Sequence, residues 1–324
     1  MNDTDIKRTK RIVIITLLLA VPLLTELLSG NTALPKIVNP LVFGYFIIMY
    51  GFPVILVREA AAAWKLGLSG IFVLGLAYGI FNEGIAARTL MLSDEHMFMS
   101  SLRGYSTFGI NLPWAVAILP WHALCSIVYP IALISGIYPQ IAGVRILSRR
   151  TIITLTMGAA MLGTLSYSST TLYPGTPVAY LIFFWCVILG LILFARLLPN
   201  MSRPMTSKQL SETKRGHLGA FLFGVSLIIL FLTPLILAAT GLPLYIQLGT
   251  TLTLLFVEYR LFLKRYGNIP AALPRIAIGN YVVLSLIAGF VLGPVGWVGE
   301  TLVWILLFIA WRGIRKREKV EKSS

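Results

Sequence analysis

The sequence predicts an all-α, polytopic bundle of about ten membrane-spanning helices with both termini in the cytoplasm. Three observations carry this expectation. Hydrophobic residues make up 57% of the 324 and charged residues only 12%, with a mean hydropathy of +0.84, whereas a soluble domain averages about 25% charged. The apolar residues gather into segments of membrane-crossing length without strand-like alternation. The Lys and Arg residues fall almost entirely on one side of those segments.

Ten apolar segments can be delimited, at approximately 12–28, 38–57, 66–87, 112–137, 151–168, 176–198, 217–239, 242–262, 276–292 and 296–311. Helices are expected because lipid offers no partners for backbone N–H and C=O groups. The last two segments are short and close together, so a re-entrant hairpin is an alternative to two crossings. With the N-terminus inside, 24 of the 27 Lys and Arg residues lie on the cytoplasmic side, leaving Lys36, Arg88 and Arg103 outside. The net charge of +15 therefore reads as topology signal and contact with anionic membrane lipids, not as a nucleic-acid interface.

The N-terminal run resembles a signal peptide, but Pro22 and Glu26 interrupt it and no small-x-small site follows, so it reads as a retained first span. The longest inside connection, Leu198–Gly216, is polar and carries two prolines. It divides a single integral membrane domain, 1–324, into sub-units 1–198 and 217–311. Cys125 and Cys186 sit in apolar segments without metal-ligand spacing and read as buried small hydrophobes.

Chemistry concentrates in Gly75–Pro130. Gly75, Gly79, Glu83 and Ala87 recur at four-residue spacing, a small-residue stripe that lets a neighbouring helix approach and turns Glu83 towards protein. On the next apolar segment, His122 shares a face with Ile118, Ser126 and Tyr129, and Pro120 just before it is expected to kink the helix. Ionisable groups at membrane depth are costly and mark functional sites by default. A Glu–His couple across these helices suits general acid–base work; a hydrated helix-end carboxylate and a satisfied core histidine are the plainer alternatives. Arg88 lies about 140° around the helix from Glu83 and is expected to snorkel to the interface or to meet Asp94, Glu95 or a headgroup.

The loop between the two helices adds Asp94, Glu95, His96, Arg103, Tyr105 and Asn111. Its DEH run has no HExxH-type spacing, so a solvated loop is favoured over a metal site. Glu26, Glu258 and Glu300 read as residues near helix ends, and Asn280 as a hydrogen-bonding group within the bundle. No P-loop, Rossmann glycine pattern, GxSxG or haem motif occurs, so neither cofactor nor metal is expected.

EGIAAR, at Glu83–Arg88, resembles the EExxxR motif of the CAAX-protease and bacteriocin-processing (CPBP) intramembrane family, with His122 as the histidine of its FxxxH motif. The wider NEG…GINLPWA…WHALCSIVYPI run is similar to multispan prokaryotic membrane proteins. The resemblance covers roughly 60 of the 324 residues. It implies a glutamate-type, metal-independent intramembrane protease with Glu83, Arg88 and His122 as its site, Glu83 activating a water and a membrane-spanning or membrane-anchored polypeptide as substrate. Gly84 stands where the second Glu would be and Ile118 where the Phe would be, and the later HxxxN motif has no counterpart.

Three classes of function are thus open: an intramembrane hydrolase, a non-catalytic scaffold that receives a partner helix or lipid, and a proton-coupled transporter titrating Glu83. For the first, Glu83 and His122 must meet. Glu83 is about 6 Å and His122 about 15 Å below the ends of their helices. The roughly 9 Å difference requires a kink at Pro120, a tilt, or continuation of the first helix through Arg88–Leu92.

Overall fold

The computed structural model describes residues 3–29, 32, 34–93, 95–97, 99–168, 177–198, 213–258, 269–292 and 294–323. Ten helices of ten residues or more occur among them: α1 (Asp3–Ser29), α2 (Pro40–Trp64), α3 (Leu68–Ala86), α4 (Leu112–Ile137), α5 (Arg149–Ser168), α6 (Val178–Leu197), α7 (Thr213–Ala239), α8 (Leu244–Glu258), α9 (Ile269–Leu292) and α10 (Pro294–Ser323). Each of the ten apolar segments overlaps one of them over its described residues. Five helices among the described residues are long and apolar enough to cross a membrane: α2, α3, α4, α6 and the Trp297–Arg317 part of α10. Asp94 and residues 199–212 of the long polar connection lie outside the described residues.

Local chemistry explains where these helices begin. Asn39 accepts hydrogen bonds from the Leu41 and Val42 amides, and Pro40 opens α2 where no N–H is required. Asn111 caps α4 in the same way, accepting from the Trp114 amide at 3.0 Å. Its own amide is tied to the Leu102 carbonyl at 2.6 Å. A two-residue antiparallel hairpin, Ser106–Thr107 with Ile110–Asn111, turns at Phe108 and Gly109, both with positive φ.

Helix α4 is the centre of the bundle. Of its most apolar stretch 83% is buried within the protein, against 67% for α3, 33% for α10 and 17% for α6. It packs on α3 along one side and on α7 and α9 along others. Trp121 lies 4.6 Å from the Phe231 ring of α7, and Asn280 of α9 donates to the Tyr129 hydroxyl, the interhelical bond expected of it. Cys125 is buried on α4, but Cys186 is exposed on α6. The expectation of burial fails there because α6 turns most of its surface away from the bundle.

The small-residue stripe determines how closely α3 and α4 approach. A Cβ on Gly75 would lie 2.7 Å from Ala123 Cα, and one on Gly79 would lie 3.2 Å from the Leu119 carbonyl oxygen. The pairing of 75 with 123 and 79 with 119 makes the helices antiparallel, in backbone contact along two turns. Gly75→Ala should therefore cost about 1–3 kcal/mol in unfolding measurements on the detergent-solubilised protein. Gly190→Ala, whose added Cβ meets nothing within 4 Å, should leave stability unchanged or slightly raised.

Candidate functional site

Three of the helices change from α to π geometry over short stretches: Ile47–Gly51 in α2, Phe81–Ala86 at the end of α3, and His122–Val128 in α4. Two of these turns end immediately before an aromatic–proline pair, Phe52–Pro53 and Tyr129–Pro130. The ladder shifts there to i→i−5 bonds, Phe52 N–H to the Ile47 carbonyl and Tyr129 N–H to the Leu124 carbonyl. The Cys125 carbonyl is left over, since Tyr129 bonds one residue further back and Pro130 has no N–H. The Tyr281 hydroxyl of α9 takes it at 2.5 Å. The expected break after Pro120 is thus a change of helix type, with α geometry through Trp121 and π geometry from His122.

The π turns carry the polar groups. Glu83 Oε1 lies 2.7 Å from His122 Nε2, and both side chains are buried. On the other side of the imidazole, Nδ1 is 3.0 Å from Ser126 Oγ. The second carboxylate oxygen accepts from the Thr89 hydroxyl, which in turn accepts from the Trp114 indole N–H at 2.9 Å. Asn82 Nδ2 lies 3.4 Å from His122 Nε2 and equally far from the Tyr50 hydroxyl, to which it donates. Tyr50 donates to Glu26 Oε1, and Thr32 donates to Glu26 Oε2 at 2.6 Å. A chain of polar contacts thus runs from Thr32 through Glu26, Tyr50, Asn82, His122 and Glu83 to Thr89 and Trp114, and its Asn82–His122 link is a hydrogen bond when His122 Nε2 carries no proton.

Glu83 and His122 meet in spite of their different depths because of helix geometry. Cα–Cβ bonds lean towards the N-terminus of their own helix, so in an antiparallel pair Glu83 and His122 lean towards each other. Close approach at Gly75 and Gly79 removes the remaining separation. Continuation of α3 through Arg88–Leu92, one of the three expected routes, does not occur. Arg88 adopts a left-handed conformation (φ 59°) and a short 3-10 turn follows at Thr89–Met91, folding Thr89 back over the carboxylate.

Arg88 is brought elsewhere than the interface. It is only 4% exposed, donates to the Tyr167 carbonyl at 3.0 Å, and holds its guanidinium 5.7 Å from the Tyr167 ring centre. The snorkelling expectation is corrected by this burial: the Tyr167 end of α5 gives the cation a carbonyl and an aromatic face within the protein. Glu95 and His96 are exposed, and His96 pairs with Ser93 at 2.7 Å. No group of three or more His, Cys, Asp or Glu side chains able to hold a metal occurs among the described residues. Tyr105 is drawn onto the end of α7, donating towards the Ala238 and Leu242 carbonyls.

Sequence reasoning missed Thr32, Tyr50, Asn82, Thr89 and Trp114 as participants, read Glu26 only as a helix-end residue, and missed one cluster. Glu26 and Tyr50 enter the site from α1 and α2; the available signal was Glu26 itself, a carboxylate inside an apolar run. Buried Glu59 forms a separate cluster with buried Arg58 at 3.5 Å and exposed Arg145 at 3.1 Å, and accepts from the Ile146 amide at 2.9 Å. Glu300 is 1% exposed, the seventh residue of α10, and so is no surface helix-end residue.

An all-α chain with several membrane-length apolar helices around a buried polar site is a multispan integral membrane protein. Residues 14–322 match a family model described as "Uncharacterized membrane protein family", and the chain belongs to that family. No curated protein and no solved structure matches it. None of these comparisons ties the chain to the CPBP family. The motif's second Glu would be crowded here, for a Cβ on Gly84 would already lie 3.1 Å from the Phe184 ring, which would have to give way.

Tyr281→Phe should lower stability by about 1–3 kcal/mol, because it leaves the buried Cys125 carbonyl without a donor. Thermal unfolding of the purified variant measures this.

Proposed function

We propose that the chain is a ten-span protein of the cell membrane, with both termini cytoplasmic, that hydrolyses a membrane-spanning or membrane-anchored polypeptide. Glu83 is the general base in this reading and His122 the residue that orients it. The carrying observation is the 2.7 Å contact between Glu83 Oε1 and His122 Nε2 inside the bundle. A proton on the line between these atoms serves either partner, as imidazolium with carboxylate or as imidazole with carboxylic acid, and such a pair can take a proton from water and return it to a leaving group. The proposal stands on this geometry and not on the CPBP resemblance. Arg88, whose described contacts run to Tyr167, then shapes the end of α3 behind the pair.

One observation favours a second reading, a proton-coupled transporter. The chain of polar contacts links two buried carboxylates, Glu26 and Glu83, on different helices. Buried carboxylates and imidazoles line proton paths in membrane proteins, although Asn82, which only donates, interrupts the path here.

New polypeptide termini in the membrane fraction, identified by mass spectrometry in cells producing the protein, discriminate the two. Hydrolysis predicts termini that fall about 100-fold or more in Glu83→Gln and His122→Ala, with both variants still present as folded protein. Termini unchanged in Glu83→Gln would sink the hydrolase. An absence of termini, with proton uptake into proteoliposomes that Glu83→Gln abolishes, would establish the transporter. The topology is checked separately by cysteine accessibility: single cysteines at Pro35, Ser100 and Thr240 should label from outside, and labelling from the cytoplasm at any of them would require redrawing the adjacent spans.

A further inference from the structure

The Tyr78 side chain is the polar group beside the Glu83–His122 pair that the chain of polar contacts leaves unused. It lies on α3, one turn before Asn82, and is 4% exposed. Its ring stands nearly perpendicular to the His122 imidazole, 5.6 Å between centres at 85°, and 6.2 Å from the Tyr50 ring. Its hydroxyl hydrogen-bonds to no other group among the described residues, although the His122 imidazole beside its ring is itself in contact with Glu83. Tyr50, its aromatic neighbour, is in contrast engaged on both sides, accepting from Asn82 and donating to Glu26.

Buried hydroxyls are nearly always hydrogen-bonded, and each exception calls for an explanation. An apolar site would have been served as well by phenylalanine. A phenol that both donates and accepts, beside an imidazole that contacts a carboxylate, is matched by a small neutral molecule able to do the same. Buried waters are held in this way, by two to four polar partners. Larger or charged candidates fit less well: an anion would meet the Glu83 carboxylate, and the Glu26 and Glu83 oxygens already accept from Tyr50, Thr32 and Thr89.

We propose that the Tyr78 hydroxyl holds a water molecule against the Glu83–His122 pair, and that this water is the nucleophile of the proposed hydrolysis. The inference rests on the hydrolase reading for its second clause only. In the reaction the water oxygen attacks the peptide carbonyl carbon while its proton passes to the Glu83 carboxylate. The C–N bond then breaks with its electron pair leaving on nitrogen. The proton returns from Glu83 to that nitrogen, so water and amide become carboxylic acid and amine. Tyr78 keeps its proton throughout and fixes the direction from which the water approaches.

Tyr78→Phe removes the hydroxyl alone. In the purified full-length protein in nanodiscs, exchange of ordinary water for the oxygen-18 form should shift an infrared O–H stretch of a buried water in the wild type. That band should vanish in Tyr78→Phe, and the variant should melt no higher than wild type. A band unchanged by the substitution overturns the proposal, and so does a variant that melts higher, because removal of a truly unpartnered buried hydroxyl is stabilising. Should the variant fail to fold, the wild-type density decides: an ordered peak about 2.6–3.2 Å from the Tyr78 oxygen supports the water, and its absence rejects it. If hydrolysis is established, Tyr78→Phe should lower kcat about 10²-fold with KM nearly unchanged, and an unchanged kcat overturns the nucleophile clause. A protein whose Glu83→Gln variant cleaves like wild type loses the hydrolase reading, while the water band is still decided on its own.

Discussion

A carboxylate and an imidazole are tolerated inside an apolar helix bundle only where each finds partners. Everything distinctive in this structure follows from satisfying Glu83 and His122 at once. Their contact requires α3 and α4 to touch backbone to backbone, which Gly75 and Gly79 allow because any Cβ there would collide with Ala123 or Leu119. It also requires an antiparallel pair, so that side chains leaning towards opposite ends converge. Thr89, itself held by the Trp114 indole N–H, then completes the second carboxylate oxygen, and Ser126 completes the imidazole on its other side.

The π turns are the device that brings the other groups into line. Widening one turn rotates the residues beyond it relative to an ideal α-helix, and π-bulges recur at functional sites for that reason. Tyr50, Asn82, Glu83, His122 and Ser126 all lie within such turns. Each widened turn releases carbonyl groups that must be bonded again. The Tyr281 bond to the Cys125 carbonyl shows how α9, remote in sequence, becomes part of the scaffold of the site.

Much of this was legible in the sequence, for reasons that can be named. Glu83 and His122 stand out because charge is rare in apolar segments, and the Gly75–Gly79–Glu83 spacing shows which helix face is close-packed. Asn280 was readable on the same grounds. The π turns left a signal as well, in the Phe52–Pro53 and Tyr129–Pro130 pairs, but it identifies a shift of the ladder and not which side chains the shift aligns. Partnerships between distant helices were not legible: Glu26 with Tyr50, Arg88 with Tyr167, and Glu59 with Arg145 depend on packing that no local pattern encodes. Cys186 shows the converse limit. Hydropathy marks a residue as apolar-tolerant, yet the choice between bundle interior and outer surface depends on which face of α6 the neighbours cover.

The account stands or falls on a direct interaction between Glu83 and His122, which a double-mutant cycle measures. Unfolding free energies of the wild type, Glu83→Gln, His122→Gln and the double variant should give a coupling of about 1.5–3 kcal/mol, as expected for a buried hydrogen bond to a charged group. Effects that add to within about 0.3–0.5 kcal/mol would show two independent residues and contradict the shared site.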